Sequence, residues 1–312
     1  MAWLTDYTYR KGITLSRPSG QVTNYQLKIL VGESSGSVGA SVHCEGHCLS
    51  SFNDIRFTPS DGETLLDYWI ESISGTTPNQ TATIWVEFDT INTTDTNFYM
   101  YYGNAGASLY SNGYNTFIAF DDFERGNDGD AIGGEWVLTS GVVEISTTQK
   151  FNGTRSGEWI GDAASPVAYI PVSVNDNIAI NIRLFKETSA AVNAIVFGNG
   201  TKYVHVYQDA SAWIGYYDGA WNGVLGSTSN VFNKLEVQNV NFTAGTFDIY
   251  QNDILIKTSA TMETRAGNLD KCSTSGPYVV GQEVWIDNFI ARNYNSTEPS
   301  FGTWSTGESH VE

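Results

Sequence analysis

Hydrophobic and polar positions in this chain alternate with a period of two. Tyr25, Leu27, Ile29 and Val31 take alternate places with Gln26 and Lys28 between them, the pattern of a strand with one buried face. The same reading places short strands at 7–11, 13–15, 54–58, 68–71, 82–86 and 97–104, with turn formers such as Ser60-Asp61-Gly62 between them. Residues 32–39, rich in Ser and Gly, read as an exposed loop, and 104–115 as a turn or short helical corner leading out of a first domain. Beyond it, strands are expected at 142–146, 178–185, 194–197, 203–207, 212–217, 234–242, 246–250 and 254–258. Asn252-Asp253 joins the last two in a tight hairpin, since both residues tolerate the positive φ such turns require. The fold class that follows is all-β, with two tandem antiparallel β-sandwich domains of the jelly-roll kind. Their expected bounds are 1–117 and 118–312, the second ending in a short tail.

Composition agrees. Aromatic residues make up 13% of the 312 and charged residues only 16%, with 31 Gly and 7 Pro, a balance suited to turn-rich strands. A net charge of −18 excludes a phosphate backbone or an anionic bilayer as natural partner, so neither nucleic-acid binding nor membrane insertion is expected. No apolar run reaches the length of a membrane span. The N-terminus, Met1-Ala2-Trp3-Leu4-Thr5-Asp6, lacks the basic and apolar regions of a secretory leader. Export by removal of a leader and release as part of a virion are both open.

Three cysteines are present. In His43-Cys44-Glu45-Gly46-His47-Cys48, imidazole and thiolate suggest zinc, but neighbouring residues of an extended chain point to opposite sides. A small disulfide loop between Cys44 and Cys48 is therefore placed ahead of a metal site and of free thiols. Cys272 is then unpaired and buried.

The first-domain motifs are Tyr9-Arg10, Asn24-Tyr25, Asp54-Ile55-Arg56-Phe57-Thr58, Asp61-Gly62, Tyr68-Trp69-Ile70-Glu71, Ile84-Trp85-Val86 and Tyr101-Tyr102-Gly103-Asn104. They resemble a domain of unknown function found in bacterial, archaeal and phage-like surface proteins, which implies a β-sandwich and a surface setting. The second domain carries Phe120-Asp121-Asp122-Phe123-Glu124, Phe151-Asn152-Gly153-Thr154-Arg155-Ser156, Leu235-Glu236-Val237, Phe247-Asp248-Ile249-Tyr250 and Trp285-Ile286-Asp287-Asn288-Phe289. It resembles the concanavalin A-like, laminin-G-type jelly rolls, which commonly bind glycans or proteins, some with a structural calcium ion. First and last strands of such sandwiches lie side by side, which would bring Glu124 and Asp287 together as the best metal candidates. No full calcium-loop spacing is present.

Glycan recognition favours flat aromatic faces beside amides and carboxylates. Tyr203, His205 and Tyr207 share one strand face opposite Val204 and Val206, Trp213 and Tyr217 share a face of the next strand, and Trp221 and Asn222 fall in the loop after it. These seven are the candidate glycan-binding residues, set against the alternative that the rings pack in the core or between domains.

Catalysis is not expected. No pair of facing carboxylates, nucleophile elbow, phosphate loop or His-Glu-x-x-His motif is present. The nearest acid strand, Glu283-Val284-Trp285-Ile286-Asp287, has no third acid. The expectation is thus a non-catalytic, extracellular or virion-surface module that binds a glycan or cell-surface receptor and assembles with itself or other structural proteins. A virion decoration or tail component stands first and an adhesin second. A purely structural protein and a polysaccharide-active enzyme follow.

Overall fold

The computed structural model describes residues 2–17, 19–173, 176–211, 213–266 and 271–310. Its described strands are joined almost wholly in antiparallel ladders, as the two-residue period demands. The chain folds as two units, residues 1–117 with 296–312, and residues 118–295.

In the first unit one sheet runs in the order Val42–His43, Val22–Gly32, Thr81–Ile91, Tyr68–Ser74. The other runs Ser300–Phe301, Tyr9–Ser16, Thr96–Tyr102, Arg56–Pro59. Tyr25, Leu27, Ile29 and Val31 all enter the core between them, with Leu15, Phe57, Phe88 and Met100 supplied by the other elements. A single helical turn, Gly113–Thr116, follows Asn112, whose side chain accepts the Asn115 N–H.

The expected domain end at 312 is corrected here. Residues 296–310 return to the first unit, where Ser300–Phe301 and Glu308–Ser309 both pair with Tyr9–Ser16. Gly302 and Ser305 add backbone bonds to Thr14 and Gly12, and the Glu308 carboxylate meets Arg10 at 2.8 Å. An otherwise open strand edge is covered. Sequence pattern missed this because two-residue strands carry no period.

The second unit is a sandwich of two larger sheets. One is ordered Val142–Ser146, Ser156–Ile160, Glu283–Asn293, Ile178–Lys186, Asn233–Asn241, Thr246–Gln251, Ile254–Thr261, with Ala119–Asp121 also on Glu283–Asn293. The opening and closing strands do lie side by side, with Phe289 opposite Asp121. Asn252 and Asp253 have φ of 50° and 64° in the expected hairpin. The other sheet runs Trp221–Gly226, Trp213–Tyr217, Lys202–Gln208, Val192–Gly198, Lys271–Ser275, Val167–Pro171, Val137–Ser140. Ala212, expected to open the Trp213 strand, lies outside the described residues. Ile182, Leu235, Val237 and Ile286 from the first sheet meet Val204, Val206, Ile195 and Ile214 from the second in one core.

Deleting residues 296–312 is expected to lower the melting temperature of the first unit and leave that of the second in place, followed by calorimetry. Two unchanged transitions would show that the returning strands contribute nothing to stability.

Candidate functional site

The candidate site lies on the outer face of the sheet that contains Lys202–Gln208. Val204 and Val206 point into the core, so the pleat turns Tyr203, His205 and Tyr207 outward. Strand register then sets two rows across that face. Ser275, Asn193, Tyr207, Gly215 and Gly223 are consecutive cross-strand partners in the first. His205 lies opposite Val196 in the second, and Tyr217 opposite Trp221.

The first row is low because of its glycines. A Cβ on Gly215 would stand 2.5 Å from the Tyr207 hydroxyl and 2.2 Å from the Asn222 carbonyl oxygen, so only glycine lets the Tyr207 ring reach across that strand. Over Gly223 lies the Trp213 indole, about 3.5 Å from where a Cβ would be. Trp221 sits edge-to-face on Tyr207 at 4.8 Å and on His205 at 5.6 Å, and packs against Tyr217 at 4.6 Å. These are favourable aromatic geometries, and they hold the Trp221 ring in one orientation.

Exposure separates the seven predicted residues. Tyr203, His205 and Tyr207 are only 1%, 8% and 6% exposed, whereas Trp213 and Trp221 are 47% and 61% exposed. The strand rings are thus on the predicted face, outside the core, but they are the support of the surface rather than the surface itself. Tyr203 is covered by the Arg265 guanidinium at 4.2 Å. Tyr217 is half-buried under Trp221. Trp221 and Asn222 begin a strand instead of lying in a loop. Asn222 pairs with Tyr216 on the opposite face, and its amide donates to Asp218 and to the Ala220 carbonyl. It is a turn anchor and does not join the site.

Three residues missed by sequence reasoning complete it. Tyr278, 48% exposed, projects from the loop between Lys271–Ser275 and Glu283–Asn293. Its hydroxyl receives a hydrogen bond from Asn193 and lies 3.1 Å from Ser275 Oγ. Asn193 donates also to Ser275 Oγ at 3.0 Å, while its Oδ1 faces His205 Nε2 at 3.0 Å. Asp209 closes the turn before Trp213, accepting the Trp213 N–H at 2.9 Å. A cleft of about 280 Å³ results, lined by Ala191, Val192, Asn193, Tyr207, Gln208, Asp209, Trp221 and Tyr278. The outward place of Asn193 on its strand was the one available signal.

The His205 imidazole is held below its usual pKa by burial, an effect opposed by Glu263, whose Oε2 is 3.4 Å from Nδ1. Arg265, 3.5 Å from Glu263, takes up that carboxylate's charge. Both ring nitrogens face acceptors, Glu263 Oε2 at Nδ1 and Asn193 Oδ1 at Nε2, so the one N–H of the neutral ring donates to one of the two.

The remaining candidates have other duties. Glu124 accepts the N–H groups of Thr154 and Arg155 and the Thr154 hydroxyl, and Asp287 accepts those of Phe151 and Asn152. Sequence brought the right pair to one place, but to clasp the 151–155 loop. Calcium needs six to eight oxygen ligands, and these oxygens already face N–H and O–H donors, so the pair does not fit the ion. Among the described residues no group of three or more His, Cys, Asp or Glu side chains is placed to hold a metal. Cys44 and Cys48 are free thiols, which corrects the expected disulfide loop. Cys44 is fully buried and its thiol is in hydrogen-bonding contact with Cys48, a contact without a bond between the sulfurs. His43 bonds to the Ser34 carbonyl, His47 stacks on Tyr9 at 4.2 Å, and Glu45 pairs with Lys11, so the zinc alternative has no shared centre. Cys272 is buried, as expected.

Residues 51–139 match the family model Domain of unknown function (DUF2341). The match takes in Asp54–Thr58 through Tyr101–Asn104 and continues past Phe117 into the second unit; Tyr9-Arg10 and Asn24-Tyr25 precede it. No curated protein matches the sequence. Solved structures with a similar trace include the Cellulose induced protein, Cip1, at 14% identity and a TM-score of 0.40, covering 55% of this chain and 96% of that one. Domain 4 of AbnA, a GH43 extracellular arabinanase from Geobacillus stearothermophilus solved with arabinotriose, gives 10% identity and a TM-score of 0.40 over 57% of this chain and 92% of that one. A sialidase gives 9% identity and a TM-score of 0.44, with 64% of this chain spanning only 20% of that protein. All three likenesses are distant.

Since the folded imidazole has the lower pKa, the unfolded chain binds more protons as pH falls, and His205 contributes stability above about pH 6.5 that is lost on acidification. Urea midpoints measured from pH 5 to 7 are expected to rise with pH less steeply in His205→Gln than in wild type. Identical slopes would place the imidazole in a solvated environment instead.

Proposed function

We propose that the second unit is a non-catalytic carbohydrate-recognition module whose ligand sits in the cleft between Trp221 and Tyr278. The observation that carries this reading is the pairing of two half-exposed aromatic rings with a floor of fixed polar groups. Soluble chains seldom leave indole and phenol rings exposed together without a use for them, and binding sites combine apolar walls with a few placed polar atoms. At about 280 Å³ the cleft falls just under the roughly 300 Å³ at which sites for drug-sized ligands begin. That suits a single sugar ring better than a large cofactor. Trp213, on the same face beyond Gly223, offers a second ring to a neighbouring sugar of a chain.

The setting proposed with it is exterior to the cell, as a virion decoration or tail component first and a secreted or cell-surface adhesin second. The resemblance of the first domain to surface proteins supports it, and the first unit then serves as platform or assembly contact. Among the described residues no helix is long and apolar enough to cross a membrane.

Trp221→Ala is expected to abolish wild-type signals on a glycan array, a loss of about tenfold or more in affinity, with the near-ultraviolet circular dichroism of the core tryptophans retained. A wild-type protein silent on every glycan would end this reading.

A second reading, a protein-assembly contact, is favoured by Val279 and Val280, 56% and 72% exposed beside Tyr278. It predicts that Val280→Asp shifts self-association in sedimentation velocity, and an unchanged sedimentation profile counts against it.

A further inference from the structure

The charges around the cleft point to a narrower ligand class. Asp209 is the one carboxylate among its lining residues, and no lysine, arginine or histidine side chain is among them. The nearest cations are already engaged. Lys186 is buried, interacts with the charge of Asp209 and donates to the carbonyls of Glu187 and Thr188, and Arg265 lies over Tyr203 and pairs with Glu263 on the far side of His205. Asn193 spends both ends of its amide on His205, Ser275 and Tyr278. One oxygen of Asp209 accepts the Trp213 N–H; among the described residues the other has no hydrogen-bond partner. A carboxylate accepts and does not donate. It is therefore complementary to sugar hydroxyls, while a ligand carboxylate or sulfate brought to the same place meets like charge that the buried Lys186, tied to backbone carbonyls, cannot leave its place to neutralise.

We infer that the cleft selects uncharged oligosaccharides and rejects acidic ones, uronates, sialylated and sulfated chains included, with Asp209 as the specificity-determining residue. This rests on the carbohydrate reading of the cleft. The chain's net charge of −18 adds a long-range repulsion of the same sign, but that part is screened by salt, whereas a charge held within the cleft is screened less.

The test is titration calorimetry at low and at physiological ionic strength, with neutral oligosaccharides that bind on the array and their uronate-containing or sulfated counterparts. Wild type is expected to bind the acidic ligands about tenfold or more weakly, at both salt levels. In Asp209→Asn, which keeps an acceptor for the Trp213 N–H, the gap between acidic and neutral ligands is expected to narrow severalfold. Acidic ligands bound as tightly as neutral ones by wild type would overturn the inference while leaving the carbohydrate reading intact. So would a gap unchanged in Asp209→Asn. Absence of binding to either class would remove the carbohydrate reading itself, and this inference with it.

Discussion

The pleat of the Lys202–Gln208 strand is the constraint from which the site follows. Burying Val204 and Val206 in the sandwich core forces three large side chains, Tyr203, His205 and Tyr207, onto the other side of the sheet. A slip of one residue would reverse every one of them, so the register is held by the core's whole hydrophobic contribution. Rings of that size on an outer face must be covered or left to water. Arg265 covers Tyr203, and the hairpin of Trp213–Tyr217 and Trp221–Gly226 covers His205 and Tyr207, exposing its own rings one layer further out. The surface aromatics are thus a consequence of packing over a second, smaller cluster.

Such layering bears on binding through entropy. An exposed tryptophan on a flexible loop loses rotamer freedom when a ligand docks, and that loss subtracts from affinity. Trp221 makes three ring contacts before any ligand arrives, and Tyr278 is tied to Asn193 and Ser275 through its hydroxyl. The strand positions of Asn193 and Tyr207 are set by ladder bonds. What a ligand would meet is already assembled.

The fold was legible in the sequence to the extent that strands were long enough to show their period. Residues 25–31 and 203–207 are read correctly from alternation alone, and Asn252-Asp253 marks its hairpin by conformational tolerance. Ser300–Phe301 and Glu308–Ser309 were not legible, because a two-residue strand is defined only by the edge it joins. The site was half legible for a related reason. Alternation says which face a ring is on and cannot say what lies above it, so Tyr203, His205 and Tyr207 were placed on the right face at the wrong depth. Tyr278 comes from a loop some seventy residues away in sequence, brought in by the pairing of Val192–Gly198 with Lys271–Ser275. No local pattern holds that information.

The acidic and amide residues show why composition alone assigns them poorly. A carboxylate is satisfied equally by a cation, by backbone N–H groups or by a ligand's hydroxyls, and all three look alike in a sequence. Glu124 and Asp287, calcium candidates by sequence, are taken up by the amides of the 151–155 loop. Asn222, a sugar-binding candidate by sequence, is taken up by its own turn. Asp209 stands in no sequence motif, yet it borders the aromatic cleft with one oxygen committed to Trp213. The distinction lies in capacity left over after the fold's own bonds are made. By that measure Asp209, with its second oxygen left over beside the cleft, keeps an acceptor where Glu124 and Asp287 have spent theirs.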